Sequence, residues 1–448
     1  MAYRVPTTLP AITTPSRPPT LSLHCGRTRR GHSLIAAGER RSANRTRWAQ
    51  GGAATGVLDR TEETVVSADE VVWGAAADLQ PTVFASIDRL MAANLRKVQA
   101  AFREQRIGPH HFQGSTGYGH GDWGREALDK VMARVMGAEA ALMRIQFISG
   151  THAIATALFS VLRPQDEMLA IAGHPYDTME EVIGLRGKKG VGSLMDWGIQ
   201  YRELPLAASG SIDWEALASA VVPGKTRVAH IQRSCGYALR PTLSIAEIER
   251  AIKLIRAQDP SVVITVDNCY GEFTEELEPC AVGADLCMGS LIKNAGLFLA
   301  PTTTGEALKG GRLVAEVMSR EGYTVIPAPG LPTTHSMITA IEVGSRDSMT
   351  AFCKGVQKLS PVGSYIEPEP GVTAGYGDEV IFADGTFIDG STAEVSADGP
   401  MRPPYVVYCQ GGTHWTHWAI ALESALTALR AADAAQGQPK AQQQQPTQ

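Results

Sequence analysis

The stretch SIAEIERAIKLIRAQDPSVVITVDN, residues 244–268, contains a helix pattern and a strand pattern in immediate succession. Ser244 and Glu247 have the spacing of a capping box, and the four isoleucines that follow Ser244 in this helix recur at helical spacing. The run SVVITV is apolar and β-branched, as strands buried in a parallel sheet are. A helix that leads directly into such a strand predicts a βαβ unit.

Similar runs alternate along the chain around this unit. Strand patterns occur in AALMRIQFIS (140–149), DEMLAIAG (166–173), IQYRELPL (199–206) and TRVAHIQR (226–233), and helix patterns in THAIATALFSVL (151–162) and DWEALASAVV (213–222). We therefore expect an α/β large domain over residues 66–310, with a mostly parallel sheet and a helical segment at its start.

The pattern changes from about Tyr323 onward. VIFADGTFIDGST, residues 380–392, alternates like a hairpin, with Asp384-Gly385 and Asp389-Gly390 as turn signals. HWAIALESALTALRAA, residues 417–432, has a helix pattern. This predicts a smaller α+β domain over residues 311–433.

Both ends of the chain differ in composition from the rest. Up to Gln50 there are nine arginines and one acid, Glu39, among Ser, Thr, Pro and Ala, which is typical of an organelle transit peptide. We expect residues 1–65 to be such a peptide, with early prolines and hydroxyls favouring the plastid; mitochondrial delivery and a disordered basic tail are the alternatives. The polar, Gln-rich residues 434–448 predict a disordered tail.

Composition also limits the classes of partner. The chain has 448 residues, 44% of them hydrophobic, and a formal net charge of -5, so no overall basic field favours nucleic acid or a membrane surface. No run of apolar residues is long enough to span a membrane. Seven cysteines without a C-x-x-C pair favour reduced thiols over a disulfide framework or a metal site. Small molecules are the expected partners.

Three strand ends carry polar residues that suit one cofactor. Ligands of an open parallel sheet bind at the carboxyl ends of its strands. Ser149-Gly150-Thr151 follows QFI and opens a helix, which suits a phosphate, although Ser and Thr are also ordinary helix N-caps. Asp267 ends a buried strand, where an unpaired carboxylate is costly. Lys293 follows ADLCM and Gly-Ser, and the alternative for it is a surface charge.

Pyridoxal phosphate requires all three of these features. It needs a lysine for covalent attachment, an acid that keeps its pyridine nitrogen protonated, and a cradle for its phosphate. Asp267 would set the reactivity of the cofactor, and Lys293 would take and return the proton at the α-carbon of an amino acid. The sequence therefore predicts a pyridoxal-phosphate site.

Longer motifs resemble one protein family. HHFQGSTGYGHGDWGREALDKVMARVMGAEAALMRIQFISGTHAIATALFSVLRP, PYDTMEEVIG, VDNCYGEF, GADLCMGSLIKN and SADGPMRPPYVVY are similar to the methionine gamma-lyase-like, or aluminium-resistance, proteins, a branch of the fold type I pyridoxal-phosphate enzymes, over about Trp73–Leu429. The resemblance implies a phosphate site formed by Ser149, Gly150, Thr151 and Ser290. It also implies that Tyr176 stacks on the cofactor ring, whereas the alternative is a core or loop aromatic.

The resemblance implies substrate and assembly contacts as well. Arg402, on a Pro-flanked loop, is a candidate for binding the substrate α-carboxylate, with a structural salt bridge as the alternative. Tyr118, in STGYGHGD, lies in a segment that reaches the neighbouring subunit in this family, so we expect a homodimer or homotetramer. Such glycine-rich segments are also plain turns.

The chain departs from the family pattern at two places. Lys293-Asn294 leads almost directly into GLFLAPTTTGE, and several dozen residues that would supply a sheet strand, part of the cofactor wall and part of the domain link are missing. A skipped exon or a faulty gene model is the favoured cause. The second departure is Cys235, which stands where we expect a basic residue.

The family predicts a lyase that breaks a carbon–sulfur bond of a sulfur-containing amino acid by β- or γ-elimination, with pyridoxal phosphate as cofactor. The alternative is an inactive or cofactor-free pseudoenzyme that assembles with the full-length form. One fold hosts transaminases, lyases and synthases, so the substrate depends on the family analogy.

Overall fold

The computed structural model describes residues 66–291, 293, 300–329, 335–360, 363–383 and 394–437, all within the unit Thr64–Gln448. The predicted transit peptide, the two Asp-Gly turn signals, Asn294 and residues 438–448 lie outside the described residues.

Ten α-helices are found in the described part of the chain. They are α1 (Ala68–Leu79), α2 (Ala85–Glu104), α3 (Trp123–Met136), α4 (Gly150–Val161), α5 (Asp177–Ile183), α6 (Trp214–Leu217), α7 (Ile245–Gln258), α8 (Ala300–Arg320), α9 (Arg346–Lys358) and α10 (Trp415–Ala435). A π-helical turn, Gln80–Phe84, joins α1 to α2.

Eleven strands form two sheets in the same part of the chain. They are β1 (Glu167–Ala170), β2 (Gln200–Glu203), β3 (Thr226–Gln232), β4 (Val263–Asp267), β5 (Leu286–Met288), β6 (Thr324–Ile326), β7 (Thr339–Glu342), β8 (Gly371–Val372), β9 (Glu379–Ala383), β10 (Val395–Pro400) and β11 (Val406–Gly411). The first sheet has the order β2-β1-β3-β4-β5, and the second has the order β6-β7-β11-β10-β9-β8.

The first sheet is parallel throughout and is covered on both faces. Along β4, Ile264 and Val266 pack in one core with α7, while Val263 contacts the core on the opposite face with α4. Successive strand residues point to opposite faces, so a strand buried on both sides has to be apolar at nearly every position. This confirms the parallel α/β domain expected from the sequence.

Helix α7 forms as its sequence predicts. The Ser244 hydroxyl accepts a hydrogen bond from the Glu247 N–H at 3.2 Å, and the Glu247 carboxylate accepts one from the Ser244 N–H at 2.8 Å. The isoleucines at 245, 248, 252 and 255 are all buried. The capping box satisfies two backbone donors, and the apolar face fixes the helix on the sheet.

The second sheet is antiparallel, and both of its faces carry buried apolar side chains. Val395, Ala397, Val407 and Cys409 pack in a core with α8, α9 and α10. The residues between them on β10 and β11 point to the other face, towards the first sheet. The smaller α+β unit at the C-terminal end is thus confirmed as part of the fold, and α8 spans the predicted boundary at residue 310.

One sequence prediction for an element is wrong, and a second is confirmed only in part. AALMRIQFIS, residues 140–149, forms no strand and pairs with none of the described strands; Leu142, Ile145 and Ile148 are 59%, 89% and 85% exposed. A strand needs a neighbour for its N–H and C=O groups, and none of the described strands pairs with this segment. DWEALASAVV forms only the short helix α6, since its last residues turn into β3.

Candidate active site

A cavity of about 240 Å³ lies at the carboxyl ends of the parallel strands, between them and the face of the antiparallel sheet that carries Asp398, Tyr408 and Gln410. The large domain contributes Ser149, Gly150, Thr151, Tyr176, Asp267, Ser290 and Lys293 to its lining. These are all the predicted cofactor-binding residues, and the structure brings them together around one cavity.

The N-terminus of α4 forms one end of the cavity. Ser149 caps the helix by accepting a hydrogen bond from the His152 N–H at 3.0 Å, so its hydroxyl has the ordinary capping function as well. Gly150 packs closely: a Cβ there would lie 3.2 Å from Ser290 Cβ and 3.5 Å from Cys269 Sγ. A helix N-terminus held this close to a second hydroxyl suits a phosphate group.

Asp267 is the last residue of β4 and is buried. Its carboxylate accepts a hydrogen bond from the Cys269 N–H at 3.0 Å, which keeps the chain turning away from the sheet. The carboxylate lines the cavity, so it can accept a hydrogen bond from a protonated ring nitrogen there.

Lys293 lies beyond β5 with its Nζ 4.0 Å from the centre of the Tyr270 ring. Burial alone would lower the pKa of Lys293, but Tyr270, Cys269 and Asp267 act in the opposite sense, and the pKa is raised overall. Burial also raises the pKa of Tyr270 and of Cys269, which keeps both neutral at neutral pH. Tyr270 has the largest effect in favour of the Lys293 ammonium, followed by Cys269 and then Asp267. The Asp398 carboxylate also interacts with Lys293.

Tyr176 is held in place by several contacts. Its backbone N–H donates to the Gln232 side-chain oxygen at 2.7 Å, and its hydroxyl is hydrogen-bonded to the Tyr376 hydroxyl. Gly236 has a φ of 56° and packs against the ring, where a Cβ would lie 2.9 Å from Tyr176 Cδ2. Burial raises the pKa of Tyr176 well above its usual value, so the hydroxyl keeps its proton at neutral pH.

Arg233 supports the site from below, a role that the sequence analysis missed. Its side chain is fully buried and donates to Asn268 at 2.9 Å, to the Gly271 carbonyl at 2.7 Å and to Glu275 at 2.6 Å. Its backbone N–H donates to the Asp267 carbonyl at 3.0 Å. An arginine directly after a buried strand was the available signal, because such a charge needs several partners.

The antiparallel sheet adds a polar wall that the sequence analysis also missed. Asp398 on β10, and Tyr408 and Gln410 on β11, all line the cavity. Burial raises the pKa of Asp398 to about 7. The alternation of apolar and polar residues at Val395, Ser396, Ala397 and Asp398 indicates a strand with one polar face. The sequence does not indicate which part of the molecule that face contacts.

Three residues singled out in the sequence lie outside the cavity lining. Arg402 forms an ion pair with Asp378 at 2.7 Å, which agrees with the salt-bridge alternative for it. Tyr118 is 86% exposed in this single chain. Cys235 is buried in an apolar cluster, and burial raises the pKa of its thiol to about 11. A thiol carries no positive charge in either protonation state, so it cannot replace a basic residue at an anion.

The class of protein follows from the fold and this site: a parallel sheet with lysine, acid and helix N-terminus at one cavity defines the architecture of the fold type I enzymes. The model of the methionine gamma-lyase family matches residues 69–296 and 295–430, and the chain belongs to that family.

Individual relatives agree with this assignment. The uncharacterised protein YnbB of Bacillus subtilis (strain 168) is 42% identical over 389 residues, which cover 77% of this chain and 92% of YnbB. A carbon-sulfur lyase involved in aluminium resistance from Clostridium novyi NT has a TM-score of 0.75 and 35% identity, covering 83% of this chain and 99% of that one. The metB protein of Corynebacterium glutamicum, at 16% identity and a TM-score of 0.51, shares the fold alone.

The family match is interrupted next to Lys293. The two matched parts meet at residues 295–296, directly after Lys293-Asn294, where the sequence pattern predicts the missing segment. The YnbB alignment has 389 positions but covers only 77% of 448 residues here, so several dozen aligned positions have no residue in this chain. The junction itself lies outside the described residues.

The helices that the structure describes include none with the length and apolar content to cross a membrane.

Proposed function

We propose that this protein is a pyridoxal-phosphate-dependent lyase that breaks the carbon–sulfur bond of a sulfur-containing amino acid by β- or γ-elimination. The observation that carries the proposal is the placement of Lys293, Asp267 and the N-terminus of α4 around one cavity. The family and the carbon-sulfur lyase similar to this chain support the reaction class.

The residues present fit this cofactor. The missing Cβ of Gly150 leaves backbone N–H groups open at the end of α4, next to Ser290, where a phosphate would bind. Asp267 would hold the ring nitrogen, Tyr176 would cover the ring and Lys293 would hold the reactive carbon. When bound, pyridoxal phosphate withdraws electrons from the bond that breaks at the α-carbon of the substrate.

The side chains of this protein would then handle the protons. Lys293 takes a proton from the substrate α-carbon and returns one. Asp267 is one of the groups that favour the Lys293 ammonium in the free chain, and holding the ring nitrogen would weaken this effect. Tyr176 keeps its hydroxyl proton at neutral pH and can donate it to a departing thiolate.

A homodimer or homotetramer forms part of the proposal. Between residues 112 and 148, Phe112, Trp123, Ile145 and Ile148 are 78%, 63%, 89% and 85% exposed, and Ile148 also lines the cavity. Large apolar side chains exposed in one region favour contact with another subunit. Such a contact would bring the Tyr118 segment to the neighbouring cavity.

One experiment tests the cofactor and the reaction together. The full chain, purified with pyridoxal phosphate, is expected to be yellow, and borohydride should fix the cofactor on the peptide that contains Lys293. Release of thiol and 2-oxo acid from cysteine or methionine derivatives checks the reaction, with Lys293→Ala as the control that loses both signals.

The pseudoenzyme remains the second candidate, because the family match breaks beside Lys293. A chain that stays colourless with added cofactor and releases no thiol would support it and contradict the lyase.

A further inference from the structure

The polar wall of the cavity is built by the pleat of the antiparallel sheet. Asp398 lies opposite Tyr408, and Ser396 lies opposite Gln410, in the pairing of β10 with β11. Opposed residues of antiparallel strands share a face, so these four side chains point the same way. Ala397 and Cys409 point to the apolar core on the other face.

Asp398 and Gln410 present acceptor atoms to the cavity. The Asp398 carboxylate accepts from the Ser396 hydroxyl and from the Gln410 amide N–H, each at 3.3 Å. This contact sets the orientation of the Gln410 amide, because the reverse orientation would place its oxygen against a carboxylate oxygen. The Gln410 side-chain oxygen is buried and has no hydrogen-bond partner.

The charged groups around the cavity favour the binding of a cation. Asp398 is 1% exposed, and a buried carboxylate is costly unless donors and positive charge stabilise it. Tyr237, Ser396, Lys293 and Gln410 all act in that direction, but burial outweighs them and raises the pKa of Asp398 to about 7. Among the described residues that line the cavity, Lys293 is the one with a cationic side chain, and the proposed reaction uses it at the α-carbon. A further cation would have to come with the ligand.

We propose that Asp398 and Gln410 form a subsite for an ammonium group on the part of the substrate beyond the sulfur atom. The preferred substrates are then thioether amino acids that carry a second amino group, rather than those with an uncharged alkyl group. This inference rests on the proposed function, in which the α-amino group is taken up at the Lys293 end of the cavity.

A matched pair of compounds tests the subsite. S-(2-aminoethyl)-L-cysteine and S-propyl-L-cysteine have the same number of heavy atoms and differ in a terminal ammonium or methyl group. At pH 8 we expect kcat/KM to be about 10- to 100-fold higher for the aminoethyl compound, as for a hydrogen-bonded buried charge pair. Asp398→Asn should reduce that ratio by about tenfold or more.

Two further variants separate the subsite from general effects on folding. Gln410→Met keeps the side-chain volume but removes the acceptor, so the ratio should fall. Ser396→Ala removes one donor to Asp398 and keeps the carboxylate, so the ratio should be kept. Each ratio is measured on one preparation, so a reduced folded fraction cancels.

Three results would overturn the subsite: equal kcat/KM values for the two compounds, an unchanged ratio in Asp398→Asn, or an equal loss with both compounds, which would mean that Asp398 serves Lys293. If no compound is turned over, the proposed function fails instead. Calorimetric binding of the same pair to Lys293→Ala then decides the inference, since tighter binding of the aminoethyl compound supports it and equal binding refutes it.

Discussion

Asp267 and the residues at the N-terminus of α4 line the same cavity but meet different parts of the proposed cofactor. Asp267→Asn keeps the shape of the side chain but removes its charge, so the cofactor should still bind while turnover falls by about 100-fold or more. Thr151→Ala removes a hydroxyl at the end of the cavity where the phosphate would bind, so it should mainly weaken cofactor binding. In the structure this hydroxyl contacts that of Thr178 at 3.1 Å. Spectroscopic titration and initial rates measure the two effects.

Ser149→Ala is a poorer probe of the same end of the site. Its hydroxyl caps α4, so the substitution would also cost about 1 kcal/mol of stability. Equal loss of cofactor in Asp267→Asn and Thr151→Ala would show that the two residues do not have separate roles.

Asp398 makes stability depend on pH. Its pKa is raised to about 7 by burial, so between pH 4 and pH 7 the carboxyl is ionised in the unfolded chain and still protonated in the folded one. The free energy of unfolding therefore decreases as pH rises through this range. Asp398→Asn should stabilise the protein at pH 8 relative to wild type, by an amount on the order of a few kcal/mol, and much less at pH 4.

Urea denaturation at the two pH values checks this prediction. Asp196 is a control of opposite sign: backbone N–H groups at Gly190 and Gly192 lower its pKa to about 2. Its contribution to stability is present above pH 4 and is lost as pH falls towards 2. A benefit of Asp398→Asn that is equal at pH 4 and pH 8 would contradict the assignment.

The location of a single residue could be predicted from the sequence where its position at the end of a strand determines that location. Asp267 and Lys293 follow buried strands, and the carboxyl ends of parallel strands meet at one edge. Asp398 could not be found this way, because it depends on which sheet the polar face of β10 meets. The sequence around Arg402 is compatible with binding a substrate carboxylate or forming a structural salt bridge. Only the fold places Asp378 beside it.

Helix α4 depends on a close approach at its first residue. In Gly150→Ala the new Cβ would lie 3.2 Å from Ser290 Cβ, so the end of the helix or the Ser290 loop has to move by a few tenths of an ångström. We expect the chain to fold and the affinity for pyridoxal phosphate to fall about tenfold, since the phosphate contacts depend on this geometry. Spectroscopic titration measures the affinity.

Gly74→Ala in α1 is the matched control, because nothing lies within 4 Å of a Cβ there. It should stabilise the protein by up to about 1 kcal/mol and leave cofactor affinity unchanged. A Gly150→Ala protein with normal affinity would show that the approach of α4 to Ser290 is not needed.

Elements were predicted from the sequence where their partners are local. The cap and the apolar face of α7 are determined by its own residues, and the strands it packs against, β3 and β4, are paired on both sides. Residues 140–149 have the composition of a strand, but a strand forms only beside a neighbour with unpaired backbone groups. Which strand lies beside a segment depends on how the whole chain folds, and a local sequence pattern does not contain that information.

The whole molecule has an unfinished edge. Among the described residues, β5 pairs with β4 and with no strand on its other side. Residues 140–149, with exposed apolar side chains, have no strand partner either. The family match breaks between β5 and α8. A segment of several dozen residues inserted there would supply a strand for the open side of β5.

The last prediction is that a chain with the family's segment restored after Asn294 will be more stable and far more active than the 448-residue chain. A restored strand would pair the open edge of β5, which the described residues leave without a second partner. Every backbone group that gains a partner in a buried setting avoids a cost of about 1 to 3 kcal/mol.

Denaturation curves, cofactor titration and thiol release, measured side by side on the two chains, test this prediction. Ser244→Ala in both chains is a control, because it removes the cap of α7 far from the open edge and should cost each about 1 kcal/mol. Transcripts from the source should mostly encode the longer form. Equal stability and equal turnover of the two chains, or transcripts of the short form alone, would show that the edge at β5 is complete as it stands.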